Sequence, residues 1–477
     1  ARASPGRASR FRGELEAPVR TGPDFLMQAL ARQDPRDIAL VDARTGQAIC
    51  FGDLVGRIEA AATRLASPSR GLALVCADQS IEGVILLLAA WHAGHAVFPH
   101  RPRSPQALAT ARQAYRPCWT IAPAELLCDA SEAAPLTGDY LVLRDPDPTP
   151  VDARLALLLS TSGSMSAPRT VRISWPNLEA SLTQIAERLA PRAGERMLLA
   201  LPIGHVYGLT SLLSHLVAGA TTVLQRASVL DPRFGAAFVE HRIGVLPAVS
   251  FMLDTLRTTA WRDGAPASLR KVTHSGDRLS EASLNWALDL RQRTGAAFYR
   301  MYGMTETTGR ISVLAPDDLA ERPGSVGQLV SGGEVRLDDG EIIFTGPNAA
   351  HGYAASARDL VALSPAEEVR TGDLGHRDGQ GFLYLTGRRS RVAKLLGVRV
   401  SLDELETAFL PAGEVAAIAR DDAVVVFAAA DSEVAVTRRL HEVAMAFAIP
   451  RTKLLLRLVD DIPRTPTGKV LYARLPG

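Results

Sequence analysis

The chain has 477 residues, 47% of them hydrophobic and 22% charged, the composition of an ordinary soluble globular protein with room for two or more domains. A formal net charge of +2 gives no argument for nucleic acid or an acidic surface as partner. The longest apolar run, Gly83–Trp91, is too short to span a bilayer.

At the start, Arg2, Arg7, Arg10 and Arg12 stand among Ser, Pro and Gly without the apolar stretch of a signal peptide, so residues 1–20 are expected to form an unstructured basic tail. Cys50, Cys76, Cys118 and Cys128 have no metal-like spacing, which predicts reduced thiols and a cytoplasmic protein. His92, His95 and His100 lack acidic or cysteine neighbours, so no metal is expected there. Basic residues are nearly all arginine. Lys271, Lys394, Lys453 and Lys469 are the four lysines, and their scarcity marks each as a candidate for chemistry.

From Phe25 to Ile121, helical stripes such as "LVGRIEAAATRLA" alternate with apolar runs such as "GLALVCADQ", the pattern of α/β layers. "RDPDPTP", Arg144–Pro150, reads as a linker. Next comes "LLLSTSGSMSAPRTVRIS", Leu157–Ser174, in which an apolar run gives way to hydroxyls, one glycine, a proline and an arginine. Alone, it fits either a polar turn between strands or an anion cradle of hydroxyls and backbone N–H groups. It lacks the G-x-x-x-x-G-K-[ST] pattern of nucleoside triphosphatases. Thr170, Arg172 and Ser174 alternate with Val171 and Ile173, predicting a strand. Leu178, Leu182, Ile185 and Leu189 predict a helix after it.

Alternation continues through "RMLLALP", "ATTVLQ" and "IGVLPAV". Beyond Gly324 the pattern turns β-rich, and "EVRLDDGEIIFTG" reads as a hairpin with its turn at Asp339-Gly340. A boundary is expected near Gly387–Arg391. The α+β tail after it includes a capping box (Ser401, Glu404), the strand "AVVVFAAA", a helical stripe (Val436, Leu440, Val443, Phe447) and the strand "TKLLLRLV".

Four more stretches bear on the loop: "RMYGMTETTGR" (Arg300–Arg310), "RTGDLGHRDGQGFLYLTGRRSR" (Arg370–Arg391), "AKLLGVRVSLDELE" (Ala393–Glu406) and "IPRTPTGKV" (Ile462–Val470). Each is weak alone. In this order they resemble the adenylate-forming superfamily of acyl-CoA synthetases, nonribosomal adenylation domains and luciferases, from about Phe25 to Arg474. The resemblance implies an α/β fold: a large N-terminal multi-subdomain domain, residues 21–387, and a small mobile C-terminal α+β lid, residues 388–477. It also implies ATP and Mg²⁺ as cofactors.

Carried over residue by residue, the resemblance makes Thr161, Ser162, Gly163, Ser164 and Arg169 a phosphate loop. Ser275, Gly276 and Asp277 would flank adenine and Tyr302 would stack on it. Thr305 would meet the α-phosphate, Glu306 would hold Mg²⁺, and Asp373 and Arg388 would bind the nucleotide, Asp373 at the ribose. Lys469 matches the catalytic lysine. Lys394 and Gly397 match the motif that enters after lid rotation, with Gly397 on the thiol channel and Ser390 at the hinge. His205, Val206, Tyr207, Gly208, Ser250 and Met304 would line the acyl pocket, with Val249 beside them.

Departures are clear. Met165 and Ser166 replace the usual Thr and Gly, and Arg169 and Thr170 replace Lys and Gly, so the loop has fewer glycines and binds phosphate through a fork. Ser390 replaces an Asp or Lys. Val206 stands where amino-acid-activating domains place an aspartate, which disfavours free α-amino acids. The implied function is an AMP-forming carboxylate ligase that passes an acyl group to coenzyme A or to the phosphopantetheine of a carrier protein. The rivals are a degenerate non-catalytic nucleotide-binding or scaffold protein, and an adenylating enzyme that forms no thioester.

Overall fold

Four apolar runs, Arg196–Leu199, Val245–Ala248, Lys271–His274 and Ala297–Tyr302, lie in parallel as neighbours in one sheet. The helices Ser250–Thr258 and Glu281–Thr294 fall in the last two connections. Every residue of Val245–Ala248 and Lys271–His274 is buried, as parallel strands under helices require. The computed structural model describes residues 22, 24–102, 104–127, 133–160, 170–261, 264–276, 278–365, 368–395, 398–420, 423–447, 449–465 and 470–476. Among them the strands form sheets of thirteen, eight, three and two. No helix among the described residues is long and apolar enough to cross a membrane.

After Ala297–Tyr302 the large sheet changes sense, because Ser312–Leu314 returns antiparallel to it. Antiparallel strands continue through Ser325–Leu329, Leu383–Arg388, Val369–Arg377 and Glu341–Thr345 to Glu334–Asp338. The predicted hairpin is there, with Asp339 and Gly340 at φ 51° and 78°, the positive pair that a two-residue turn needs. The loops after Val245–Ala248, Lys271–His274 and Ala297–Tyr302 emerge together at the carboxyl edge, where open α/β sheets bind ligands.

The smaller sheet carries the loop's two feet. Leu155–Ser160 pairs antiparallel with Thr170–Ser174, with Ser160 opposite Thr170. The helix Trp175–Leu189 follows, its predicted apolar stripe buried and its start closed by a capping box between Ser174 and Asn177.

Ala393, Val400, Leu402, Leu405, Phe409, Val424, Val436, Leu440 and Val443 pack in an apolar cluster of their own. The expected boundary at 387/388 falls at the end of Leu383–Arg388, a strand of the large sheet. The Ser401 hydroxyl accepts the Glu404 N–H at 3.3 Å, one half of the capping box.

Lysine scarcity marks Lys271 as a candidate for chemistry, but the structure gives it a mechanical role. Its Nζ is buried, donates to Leu189 O at the end of the Trp175–Leu189 helix, and pairs with Glu195 at 3.0 Å. Lys271→Met should lower stability by about 1–2 kcal/mol, read as the urea midpoint, and leave the activity of the folded fraction unchanged. Lost activity at unchanged stability would return Lys271 to the chemistry.

Candidate active site

Tyr302 ends the last parallel strand and turns the chain into Gly303-Met304-Thr305-Glu306. A Cβ on Gly303 would stand 2.3 Å from Gly309 O, so the two limbs of this turn meet only because residue 303 is glycine. Thr305–Thr307 forms one 3₁₀ turn and Thr308 closes it in the left-handed region at φ 47°.

A buried polar network holds this turn from behind. Asn348 Nδ2 donates to Thr307 O and Arg310 O, both at 2.6 Å, and its Oδ1 accepts from Gln184 Nε2 at 3.0 Å. Ser181 Oγ donates to Thr308 O, and Asn177 Nδ2 donates to Pro347 O and Ala349 O. Asn177, Ser181 and Gln184 lie at i, i+4 and i+7, one face of a helix.

Tyr302 and Asp373, 71 positions apart in sequence, meet here. The Tyr302 hydroxyl donates to Asp373 Oδ2 at 2.7 Å, and Arg388 Nε donates to Oδ1 at 3.1 Å. Burial, and then the Asp373 charge, push the Tyr302 pKa well above its ordinary value, so the phenol stays a donor. Asp373 and Arg388 are cross-strand partners, and the Asp373 N–H is tied to Thr371 Oγ1 at 3.0 Å. Behind them Glu341, almost fully buried, accepts from Arg370 at 2.7 Å, Arg389 at 2.6 Å and the Gly372 N–H at 3.2 Å. Two residues on, Arg391 binds Asp403 and Glu406 and lies against the Tyr472 ring.

Glu306 is partly exposed and accepts the Tyr353 hydroxyl at 2.7 Å. Tyr353 pairs with Val171 and Ala354 with Thr170, so the loop's second foot stands beside this carboxylate. The Thr170 hydroxyl donates to Ala354 O at 2.7 Å and meets the Tyr115 hydroxyl. Thr161, Ser162, Gly163, Ser164, Arg169, Asp277, Gly397 and Lys469 lie outside the described residues, as do the side chains of Ser390 and Lys394. The Lys394 backbone pairs with Arg399.

On the acyl side, His205 is exposed and precedes the Val206–Val217 helix. A Cβ on Gly208 would stand 2.3 Å from Pro202 O, which explains that glycine. The Tyr207 hydroxyl donates to Thr273 O at 2.7 Å, tying the helix to the sheet edge. Ser250 Oγ donates to Arg278 O and lies 2.8 Å from His274 Nε2, so this hydroxyl is already engaged. Ser275 is buried beneath the edge, and Gly276 adopts φ +106°. Met304 packs partly buried against the main core. Sequence reasoning missed Tyr353, Thr371, Glu341 and Asn348. The signal available was polar residues at core-facing spacing, as in Asn177, Ser181 and Gln184.

This edge carries a carboxylate–phenol–guanidinium group on one side and the partly exposed acid Glu306 on the other, donor and acceptor types that suit a nucleotide at the carboxyl edge of an open α/β sheet. The family described as AMP-binding enzyme matches residues 27–354, and the chain belongs to it. It is similar to 2-succinylbenzoate--CoA ligases of Bacillus pumilus (30% identical over 265 residues, 54% of this chain and 53% of the relative) and Bacillus velezensis (29% over 342 residues, 67% and 68%). The chain thus spans about half the length of the first of these relatives, 53%. The Bacillus subtilis O-succinylbenzoate coenzyme A synthetase in complex with AMP shares the fold, with a TM-score of 0.75 at 23% identity over 96% of this chain and 98% of that one.

Proposed function

We propose that the chain is an ATP-dependent, AMP-forming carboxylate ligase that passes the activated acyl group to a pantetheine thiol. The observation that carries this reading is the joining of Tyr302, Asp373 and Arg388 at the sheet edge that also presents Glu306. In the first step, a carboxylate oxygen of the acid attacks the α-phosphorus of ATP. The bond to the pyrophosphate oxygen breaks, giving acyl-AMP and pyrophosphate. In the second, a thiolate sulfur attacks the acyl carbon and AMP leaves with the electron pair of the C–O bond.

Asp373 offers acceptor oxygens to the ribose diol, with Arg388 fixing its plane. Tyr302, Ser275, Gly276 and Asp277 form the adenine side. Thr305 faces the α-phosphate, and Thr161, Ser162, Gly163, Ser164 and Arg169 hold the β- and γ-phosphates. Glu306 is a hard oxygen donor with only Oε1 engaged by Tyr353, which suits Mg²⁺ held mostly by water and phosphate. Bound there, Mg²⁺ would neutralise charge moving onto pyrophosphate. Lys469 serves the attacking carboxylate, while Lys394 and Gly397 serve the thiol after rotation at Ser390. Coenzyme A is the acceptor that the related ligases support; a carrier protein fits the same chemistry. We place the enzyme in the cytoplasm, where the buried Cys76 and Cys118, pushed up to about 12 by burial, remain thiols.

Across a panel of carboxylic acids, Mg²⁺-dependent ATP–pyrophosphate exchange should appear with at least one, and adding thiol should yield AMP. Val206 predicts acids without a charged α-amine among the substrates. Release of ADP would sink the proposal in favour of different nucleotide chemistry, and silence with every acid would sink it in favour of a non-catalytic protein.

A further inference from the structure

Among the described residues, one arginine is fully buried and has no carboxylate beside it. Arg310 is 2% exposed, the only charged side chain among the largest fully buried ones described. Its Nη1 donates to Gly309 O at 2.7 Å, and its guanidinium carbon lies 5.2 Å from the centre of the Tyr207 ring. Its Nε has no hydrogen-bond partner, and no described carboxylate pairs with it. Burial pulls the pKa down to about 10, so the group is still charged at neutral pH. Other buried cations have carboxylates, Lys271 having Glu195 and Arg391 having Asp403 and Glu406, while the less deeply buried Arg300 donates to Pro323 O. A cation–π contact offsets only part of the desolvation of an arginine.

Its place in the fold says what is missing. The Arg310 N–H donates to Thr307 O, and the next N–H, of Ile311, donates to Tyr302 O at 2.8 Å, so the residue is strapped to the end of the last parallel strand. A Cβ on Gly309 would stand 3.2 Å from Val206, so this segment lies directly beneath the first turn of the Val206–Val217 helix. The guanidinium therefore sits among the residues assigned to the acyl pocket, on the face of one of them, Tyr207.

We propose that Arg310 is the counter-ion for a second carboxylate on the acyl substrate, and that the enzyme activates dicarboxylic acids at the carboxylate nearer the nucleotide. This rests on the adenylation reading above. A neutral acid would leave the guanidinium buried and unpaired, whereas a diacid would complete an ion pair in a water-poor site. The site would then discriminate by the charge of the distal group and less by its size.

The test uses aliphatic and aromatic diacids, each against its half-amide, which keeps the shape and removes the distal charge. With the wild-type chain, kcat/KM in pyrophosphate exchange should favour the diacid on the order of 10²-fold or more, mainly through KM. Arg310→Met should collapse that ratio towards one, and Arg310→Lys should restore part of it. Equal use of diacid and half-amide by the wild type overturns the proposal, as does a ratio that Arg310→Met leaves unchanged. The wild-type ratio decides the matter even if Arg310→Met does not fold. Exchange with half-amides and simple acids alone would refute the diacid assignment and leave the ligase standing. Silence with every acid would remove the ligase reading and this proposal together.

Discussion

Asn348→Leu should cost this protein about 3 kcal/mol or more of stability and most of its nucleotide chemistry. The side chain is fully buried, and leucine nearly matches its volume, so packing is not the main loss. What goes is a pair of donors and an acceptor. Arg310 O would lose its 2.6 Å donor; Thr307 O would lose one of two donors, keeping the Arg310 N–H, and Gln184 Nε2 one of two acceptors, keeping Ser331 O. One buried carbonyl left unmet costs about 1–3 kcal/mol, and each of the two other lost hydrogen bonds about 1 kcal/mol more. The damage reaches function because Thr307 and Arg310 belong to the limb of the turn that follows Thr305 and Glu306 directly. Urea unfolding and pyrophosphate exchange on the same preparation would check it. A stability change within about 0.5 kcal/mol, the range of ordinary surface substitutions, would show that the network does not hold the turn.

The second large effect is expected at Lys469. Removing one preorganised charge-stabilising contact typically slows a reaction on the order of 10²–10³-fold. Lys469→Ala should therefore slow adenylation by that order while sparing thiol transfer from supplied acyl-AMP. Gly397→Leu should do the reverse by obstructing the thiol. The described ion pairs divide at the proposed hinge. On one side of Ser390, Arg388 and Arg389 are bound to Asp373 and Glu341; on the other, Arg391 is bound to Asp403 and Glu406. Rotation at Ser390 would turn these two anchored groups against each other. Rates of both variants in both half-reactions are the measurement. Parallel losses would mean that one lid pose serves both steps.

Much of this could be read without coordinates. The hairpin at Asp339-Gly340, the strand Thr170–Ser174 and the helix Trp175–Leu189 follow from local causes: a positive-φ pair, a two-residue alternation, and an apolar stripe of period 3.6. The ordered motifs named the chemistry because phosphate and carboxylate reactions demand particular residue types at short spacing. Residues whose role lies in distant contacts were less legible. Glu341 is a solvent-side acid by its hairpin position, yet three donors from a strand and a turn tens of residues away bury its charge. Tyr353 looks like an ordinary strand residue until the two sheets bring it to Glu306.

Local propensity and motif chemistry thus belong to the sequence by itself: which segments are strands, which loop could bind phosphate, and which acids and lysines are candidates for catalysis. The tertiary structure alone decided which strands are neighbours, which places Tyr302 against Asp373, and how each polar side chain among apolar ones is answered. Lys271 found Glu195 and became a strut. Arg310 found only an aromatic face and a carbonyl, and so points to the substrate. The reason is physical. A buried charge is costly unless it is matched, and the match comes from residues far along the chain, which only folding brings within reach.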